Sequence, residues 1–340
     1  MTLPKALALN SVSPSRLKDL AECPLRVAFK QHAEKSAAKA DAQIIGDSLH
    51  VALAECIRLG ELVGEDAAWL VEERFVGELE RQAPGREVRG VRVAVARLRR
   101  IVARILELTS EAGPGAVTLS EEALNAREGA IHGVVDLIID SERLHVIVDY
   151  KTGRTVDEDG EVIPHFQVQL QLYAVLEHDR SGRWPESGVL LRFGGPPVSV
   201  SIESGTCERV ADEAVESLVG YQALTGTVPP ANAGEVTCRF CSFAPQCPAF
   251  WEAISPSWTR GAVRGRVARA ESSAAGGLTV WLEEASGSHD GTVVIRRLSD
   301  AGLDVDALPV GAQLVVCGVH PDADGRLLPD RSAQVALQNS

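Results

Sequence analysis

The sequence predicts an α/β domain followed by a small all-β module, and three features of its 340 residues point there. Helical and strand patterns alternate as far as Trp251, the signature of a mixed layered domain. The stretch Ile254-Ser255-Pro256-Ser257 then reads as a linker. Beyond it come short apolar runs separated by Gly and Asp turns. The expected division is residues 1–253, a linker at 254–262, and a second domain at 263–340. With 45% hydrophobic residues and no apolar run near the roughly 20 residues that span a bilayer, the chain can bury a core in water. Met1 to Asn10 is too short and too weakly apolar for a secretory signal, so a soluble cytoplasmic protein is expected.

The elements follow in order. Ser13-Pro14-Ser15 offers helix-start chemistry before Arg16 to Ala21, and Cys23-Pro24 comes next. Gln43 to about Arg104 is patterned as helix, with breaks near Gly60, Gly64 and Pro84-Gly85. Val117 to Leu119 reads as a short strand. Ala130 to Ile139 and Leu144 to Tyr150 are rich in β-branched residues and joined by a polar turn, which predicts a hairpin. A helix is expected over His165 to Glu177, strands over Val189 to Phe193 and Val198 to Ile202, and a helix over Cys207 to Leu224. In the tail, strands are expected at Val263 to Arg269, Leu278 to Glu283, Thr292 to Ile295, Gln313 to Val319 and Ala333 to Leu337. A helical piece, Ser299 to Ala307, falls between the third and fourth. Five strands with one insertion there fit a small OB-like Greek-key barrel, with a generic β-appendage as the alternative.

Charge and rare residues narrow the chemistry. A net charge of −13 argues against a surface coated for nonspecific nucleic-acid binding, yet eight arginines and one acid, Glu87, lie between Arg81 and Arg104. From that stretch Arg89, Arg92, Arg97 and Arg100 are candidate nucleic-acid contacts, against a plain solvated helix face. Of six lysines, five lie in the first 39 residues and the sixth is Lys151. Arginine cannot replace lysine where a compact, titratable charge is needed, so Lys151 draws attention. Seven cysteines without a secretory signal do not suggest disulfides. Cys238-x2-Cys241-x5-Cys247 reads instead as metal or cluster ligation, with a fourth ligand from elsewhere.

Two acids lie in the predicted hairpin, Asp136 in His-Gly-Val-Val-Asp and Asp149 in Val-Ile-Val-Asp-Tyr-Lys. Strand residues two apart share a face, so Asp149 and Lys151 project together, and strand pairing can bring Asp136 to them. Carboxylate oxygens suit Mg²⁺ or Mn²⁺, and an ammonium beside them can position a water.

Asp136 followed by Asp149-Tyr150-Lys151 resembles the D…(D/E)xK core of the PD-(D/E)xK nuclease superfamily, and more narrowly its RecB-like branch. That branch carries an upstream helix with a metal-binding histidine, matched by His50 in Gly46-Asp47-Ser48-Leu49-His50. It also carries a Gln-x3-Tyr helix, matched by Gln169 and Tyr173, with Gln167 and Gln171 flanking. Its iron–sulfur members, AddB-like and CRISPR-associated nucleases among them, bracket the core with one early cysteine and a late C-x2-C-x5-C group. Cys23, with Cys238, Cys241 and Cys247, matches that arrangement, and the resemblance spans about Ser13 to Trp251. Cys56, Cys207 and Cys317 match nothing and read as small buried residues.

The resemblance implies a restriction-endonuclease-like core with a helical N-terminal region and an iron–sulfur cap. It implies a 4Fe–4S cluster on the four cysteines, with Zn²⁺ on the same thiolates as the alternative. It implies Mg²⁺ or Mn²⁺ held by His50, Asp136, Asp149 and the Tyr150 backbone carbonyl, with Lys151, Gln169 and Tyr173 completing the catalytic set. The expected activity is phosphodiester hydrolysis in DNA, as an exonuclease on single strands, ends or flaps, in repair, recombination or defence. No G-x4-G-K-[ST] loop is present, so unwinding would come from a helicase or other partner. The tail could capture single strands through Trp281, or, with eight arginines against ten acids from Ile254 on, dock a protein. A cluster-bearing adaptor with a vestigial nuclease core is the competing class.

Overall fold

The computed structural model describes residues 2–33, 41–272, 277–298 and 308–338. They form two compact units. One comprises residues 8–18 and 34–223, the other residues 1–7, 19–33 and 224–340. This partition differs from the expected cut at 254–262. The early helix with Cys23 belongs with the C-terminal segment, and Ile254 and Trp258 pack against the cysteine-bearing region and the barrel rather than spanning a gap.

Two short helices, α1 (Pro14–Glu22) and α2 (Pro24–His32), come first in the chain; in the first unit, α3 (Asp41–Arg58), α4 (Ala67–Gln82) and α5 (Val91–Ala112) precede a five-stranded sheet. Its strands are β1 (Val117–Ala126), β2 (Ile131–Asp140), β3 (His145–Lys151), β4 (Ser187–Arg192) and β5 (Val198–Ser201), in that spatial order. All neighbours are antiparallel except β3 and β4, which run parallel with α6 (Pro164–Ser181) as their crossover. α7 (Ser204–Gln222) closes the unit against α6.

The sequence explains the layers. α5 buries Ala94, Leu98, Ile101, Val102, Ile105 and Leu108, recurring three and four apart, and leaves Arg92, Arg99 and Arg100 exposed. Those residues pack with α3 and α4 onto Leu137, Ile139, Val146 and Val148 of the sheet. Burial of β2 and β3 on both faces accounts for their continuous β-branched runs. At Gly133 of β2 an added Cβ would lie 2.8 Å from Leu176 Cδ1 and 3.2 Å from Tyr173 Cε1, so a glycine there lets α6 come close.

The expected strand at Val117 to Leu119 is the start of a ten-residue strand. The polar run Ser120-Glu121-Glu122 masks its continuation.

The second unit joins α2 (Pro24–His32) to α8 (Glu235–Cys238), α9 (Pro248–Ala253) and a closed barrel. The barrel strands are β6 (Gly261–Ser272), β7 (Leu278–Gly287), β8 (Gly291–Ile295), β9 (Gln313–Pro321) and β10 (Leu327–Gln338). Around the barrel the order is β6, β7, β8, β10, β9 and back to β6, and only β8 and β10 pair parallel. The expected helical piece at 299–307 lies outside the described residues. Val263, Val267, Val280, Leu282, Ile295 and Val316 fill the barrel. Phe250, Ala244 and Cys238 pack on its Ala262, Val315 and Cys317 from outside.

Candidate active site

The β2–β3 hairpin pairs regularly from Asp140↔His145 to Leu137↔Val148 and then parts. At the parting, Asp136 substitutes a side-chain bond for the ladder, its Oδ2 accepting the Tyr150 N–H at 2.7 Å. This is what brings Asp136 to Asp149 and Lys151. Asp149 is fully buried, and Lys151 Nζ donates to its Oδ1 at 2.8 Å and lies 2.7 Å from Oδ2. Burial, and then the charge of Asp136, push the Asp149 carboxyl up to about 7, while Lys151 opposes both. Lys151 also stands 5.6 Å from the Phe166 ring centroid, within cation–π range.

His50 enters from α3, with Nδ1 3.1 Å from Glu121 Oε1 and 3.4 Å from Asp136 Oδ1. Its ring meets Tyr150 edge-on, the centroids 5.5 Å apart. Burial disfavours the charged imidazole, but hydrogen bonds to Asp136 and Glu121 and their charges hold His50 at about 10. Three ligand atoms, from His50, Glu121 and Asp136, lie within 4.8 Å of one another. A proton on His50 therefore neutralises a cluster of donors whose chemistry, one imidazole and two carboxylates beside buried Asp149, suits a divalent ion.

Glu121 is the residue that sequence reasoning missed. It stands opposite Asp136, at the one step where the β1–β2 pairing lapses between Ser120↔Leu137 and Glu122↔Val135. Its φ of 52° is left-handed, a conformation few non-glycine residues adopt, and Ser120 Oγ donates to the Asp136 carbonyl at 2.9 Å there. The deformation turns the Glu121 carboxylate toward His50. The available signal was a pair of glutamates inside a strand next to the hairpin.

Gln169 Nε2 donates to Tyr173 Oη at 2.9 Å across one turn of α6. Burial, and then the negative charges of Asp136 and Asp149, push the Tyr173 hydroxyl well above the usual phenol range, so it stays a neutral donor. Tyr150 is wholly buried, which leaves its backbone as the part available to the site.

The remaining expected residues fall elsewhere. Arg92, Arg97 and Arg100 lie on α5, and the Arg89 N–H donates to Asp41 Oδ2 at 3.2 Å before that helix begins. Trp281 is on β7, outside the barrel core, with the Arg269 guanidinium 4.9 Å from its ring centroid.

Cys23, Cys238, Cys241 and Cys247 line one pocket of the second unit, walled by Leu25, Phe29, Phe243 and Phe250. Phe29 and Phe243 stack with centroids 5.0 Å apart. Cys23-Pro24 and Cys247-Pro248 each put a thiol at a helix N-cap with proline in the first turn. Burial, with the neighbouring thiols adding to it, pushes the Cys238 and Cys247 thiols up. Among the described residues, no three of these sulfurs lie within 4.8 Å of one another. Cys56, Cys207 and Cys317 are buried, and burial pushes the Cys317 thiol up to about 12.

The profile of the PD-(D/E)XK nuclease superfamily matches residues 11–248. The chain belongs to that superfamily. Two solved structures are similar to it. SSO0001 is 16% identical, with 68% of this chain and 94% of that one covered and a TM-score of 0.27. A protein from Eubacterium rectale described as a candidate exonuclease is 12% identical, with 71% and 87% covered and a TM-score of 0.41. No curated protein sequence matches. No helix among the described residues is long and apolar enough to cross a membrane.

Proposed function

We propose that this superfamily member is a Mg²⁺- or Mn²⁺-dependent deoxyribonuclease of the RecB-like branch, acting on single-stranded DNA or on ends and flaps. The observation that carries the reading is the convergence of His50, Glu121, Asp136, Asp149 and Lys151 where the β2–β3 hairpin parts. His50, Asp136, Asp149, the Tyr150 carbonyl and Glu121 would hold the ion, which when bound acidifies a water and offsets charge on the phosphate.

The chain's own residues do the rest. Lys151 keeps its ammonium beside Asp149 and orients the attacking water, while the Phe166 ring limits where it can swing. Tyr173, held neutral and fixed by Gln169, donates a hydrogen bond toward the charge that develops on the phosphoryl oxygens. His50 must give up its proton before it can serve as a ligand.

We assign a 4Fe–4S cluster to Cys23, Cys238, Cys241 and Cys247, in a structural role. A single tetrahedral Zn²⁺ on the same four thiolates is the competing occupant. That all four cysteines, one from before residue 24 and three from beyond 237, line a single apolar pocket supports the assignment. The barrel's strand order supports the OB reading, and the outward Arg269–Trp281 stack supports single-strand capture. A helicase or other partner at the barrel remains the competing role for that module.

The test is cleavage of 5′- and 3′-labelled linear and circular DNA with Mg²⁺ or Mn²⁺. Lys151→Ala, Asp149→Ala and Glu121→Gln are expected to abolish cleavage with folding retained. An inactive wild type of full cluster content would leave the adaptor reading, and unchanged activity in Lys151→Ala and Asp149→Ala would remove the proposed site.

A further inference from the structure

β4 runs parallel to β3 with Arg192 in register with Lys151, so the two backbones are one strand spacing apart, about 4.8 Å. At this carboxyl end of β4 opens a pocket of about 370 Å³, separate from the carboxylates. Arg100, Ile101 and Arg104 of α5 line one side, and Leu191, Arg192 and the turn at Gly195 line the other.

The charges here are not arranged for stability. Arg100 and Arg104 are four apart on α5, where like charges repel. Arg100 has no carboxylate partner among the described residues, and Arg192 meets only the Pro196 carbonyl, at 3.5 Å. Arg104 is paired, to Glu107 at 2.9 Å and Glu111 at 3.2 Å, yet its Nε is buried without a partner. A Cβ at Gly195 would come within 3.1 Å of Arg192 Cζ, so the glycine lets that guanidinium lie over the turn. The remaining walls, Ile101 and Leu191, are buried hydrocarbon, which strengthens any ion contact made beside them. Arg100 and Arg192 both line this one cavity, and a planar guanidinium fork matches a tetrahedral oxyanion.

We propose that this pocket binds a backbone phosphate of the substrate strand, next to the one being cleaved, with Arg100 and Arg192 as its ligands. It is a positioning site and rests on the nuclease reading. It also separates the arginines expected from sequence: Arg100 contacts the strand, together with Arg192, which lies outside the arginine-rich helix.

The test uses the full chain and a fluorescent 20-nucleotide single strand. Binding is measured with Ca²⁺ in place of Mg²⁺ over a salt series, and cleavage is measured separately for kcat and KM. Arg100→Gln and Arg192→Gln are each expected to weaken binding about tenfold at low salt. Each should flatten the slope of log affinity against log salt by about 0.7, the value for one single-strand phosphate contact. KM should rise with kcat unchanged, and Arg192→Lys should restore the slope because it keeps the charge. Wild-type affinity and slope in the Arg100→Gln/Arg192→Gln double variant would overturn the assignment. So would a fall in kcat matching the fall in binding, which would move these arginines to the reaction or the fold. A wild type that binds with this arginine dependence but does not cleave would refute the nuclease reading alone.

Discussion

Gly133→Ala tests whether the closeness of α6 to β2 sets the geometry of the site. The new methyl would meet Leu176 Cδ1 at 2.8 Å, shorter than real Cβ contacts, and Tyr173 Cε1 at 3.2 Å. Leu176 is fully buried, so it cannot swing away freely. Overpacking of this kind costs about 1–3 kcal/mol. Replacing a strand glycine returns about 0.5–1 kcal/mol of backbone entropy. The expected net effect is therefore a loss of up to about 2.5 kcal/mol, read in urea unfolding followed by far-ultraviolet circular dichroism. Activity should fall further than stability does, because Tyr173 must shift and its 2.9 Å bond from Gln169 goes with it. Leu176→Ala supplies the control. Alone it should cost about 2–5 kcal/mol, but in Gly133→Ala/Leu176→Ala the two losses should overlap by about 0.5–3 kcal/mol. Additivity within about 0.5 kcal/mol would refute the steric argument, since distant sites behave that way.

Glu177 gives a pH prediction. Burial would raise its carboxyl, but hydrogen bonds from His145 at 2.9 Å and Arg180 at 2.7 Å outweigh burial and hold it below the usual carboxylate range. A depressed carboxyl stabilises the fold above its unfolded pKa and loses that contribution as pH falls through its folded value. Glu177→Gln should thus be less stable than wild type at pH 7 and lose less on acidification; parallel curves from pH 7 to 3 would contradict this. For the cluster, anaerobically purified protein should be brown, absorb near roughly 400 nm and carry iron and acid-labile sulfide. Serine at Cys23, Cys238, Cys241 or Cys247 should lower both contents and Cys317→Ser should not, whereas stoichiometric zinc without iron would overturn the assignment.

The hairpin acids and Lys151 were legible in the sequence because strand periodicity is local: two residues apart means one face. The barrel strands were legible for the same reason, though each ran longer than its apolar stretch. Glu121 was not legible, since its role depends on a pairing lapse opposite Asp136 that no residue type announces. Arg192 was hidden because its neighbour Lys151 is 41 positions away and they meet only through the parallel β3–β4 register. Nor could spacing alone show that Cys23 groups with residues beyond 223 and not with the helices that follow it.

That grouping has a consequence for how the chain is made. Residues 19–33 share a unit with residues 224 onward, and the intervening segment 34–223 belongs to the other unit. On the ribosome the sheet unit can therefore finish first, although it is flanked on both sides by its neighbour. At about 5–20 residues per second, the helix bearing Leu25 and Phe29 waits roughly 10–40 s for the cysteine-bearing segment whose pocket it lines. During that interval it lacks Phe243 and the other late residues of that pocket, so the nascent chain should bind chaperones through this early helix.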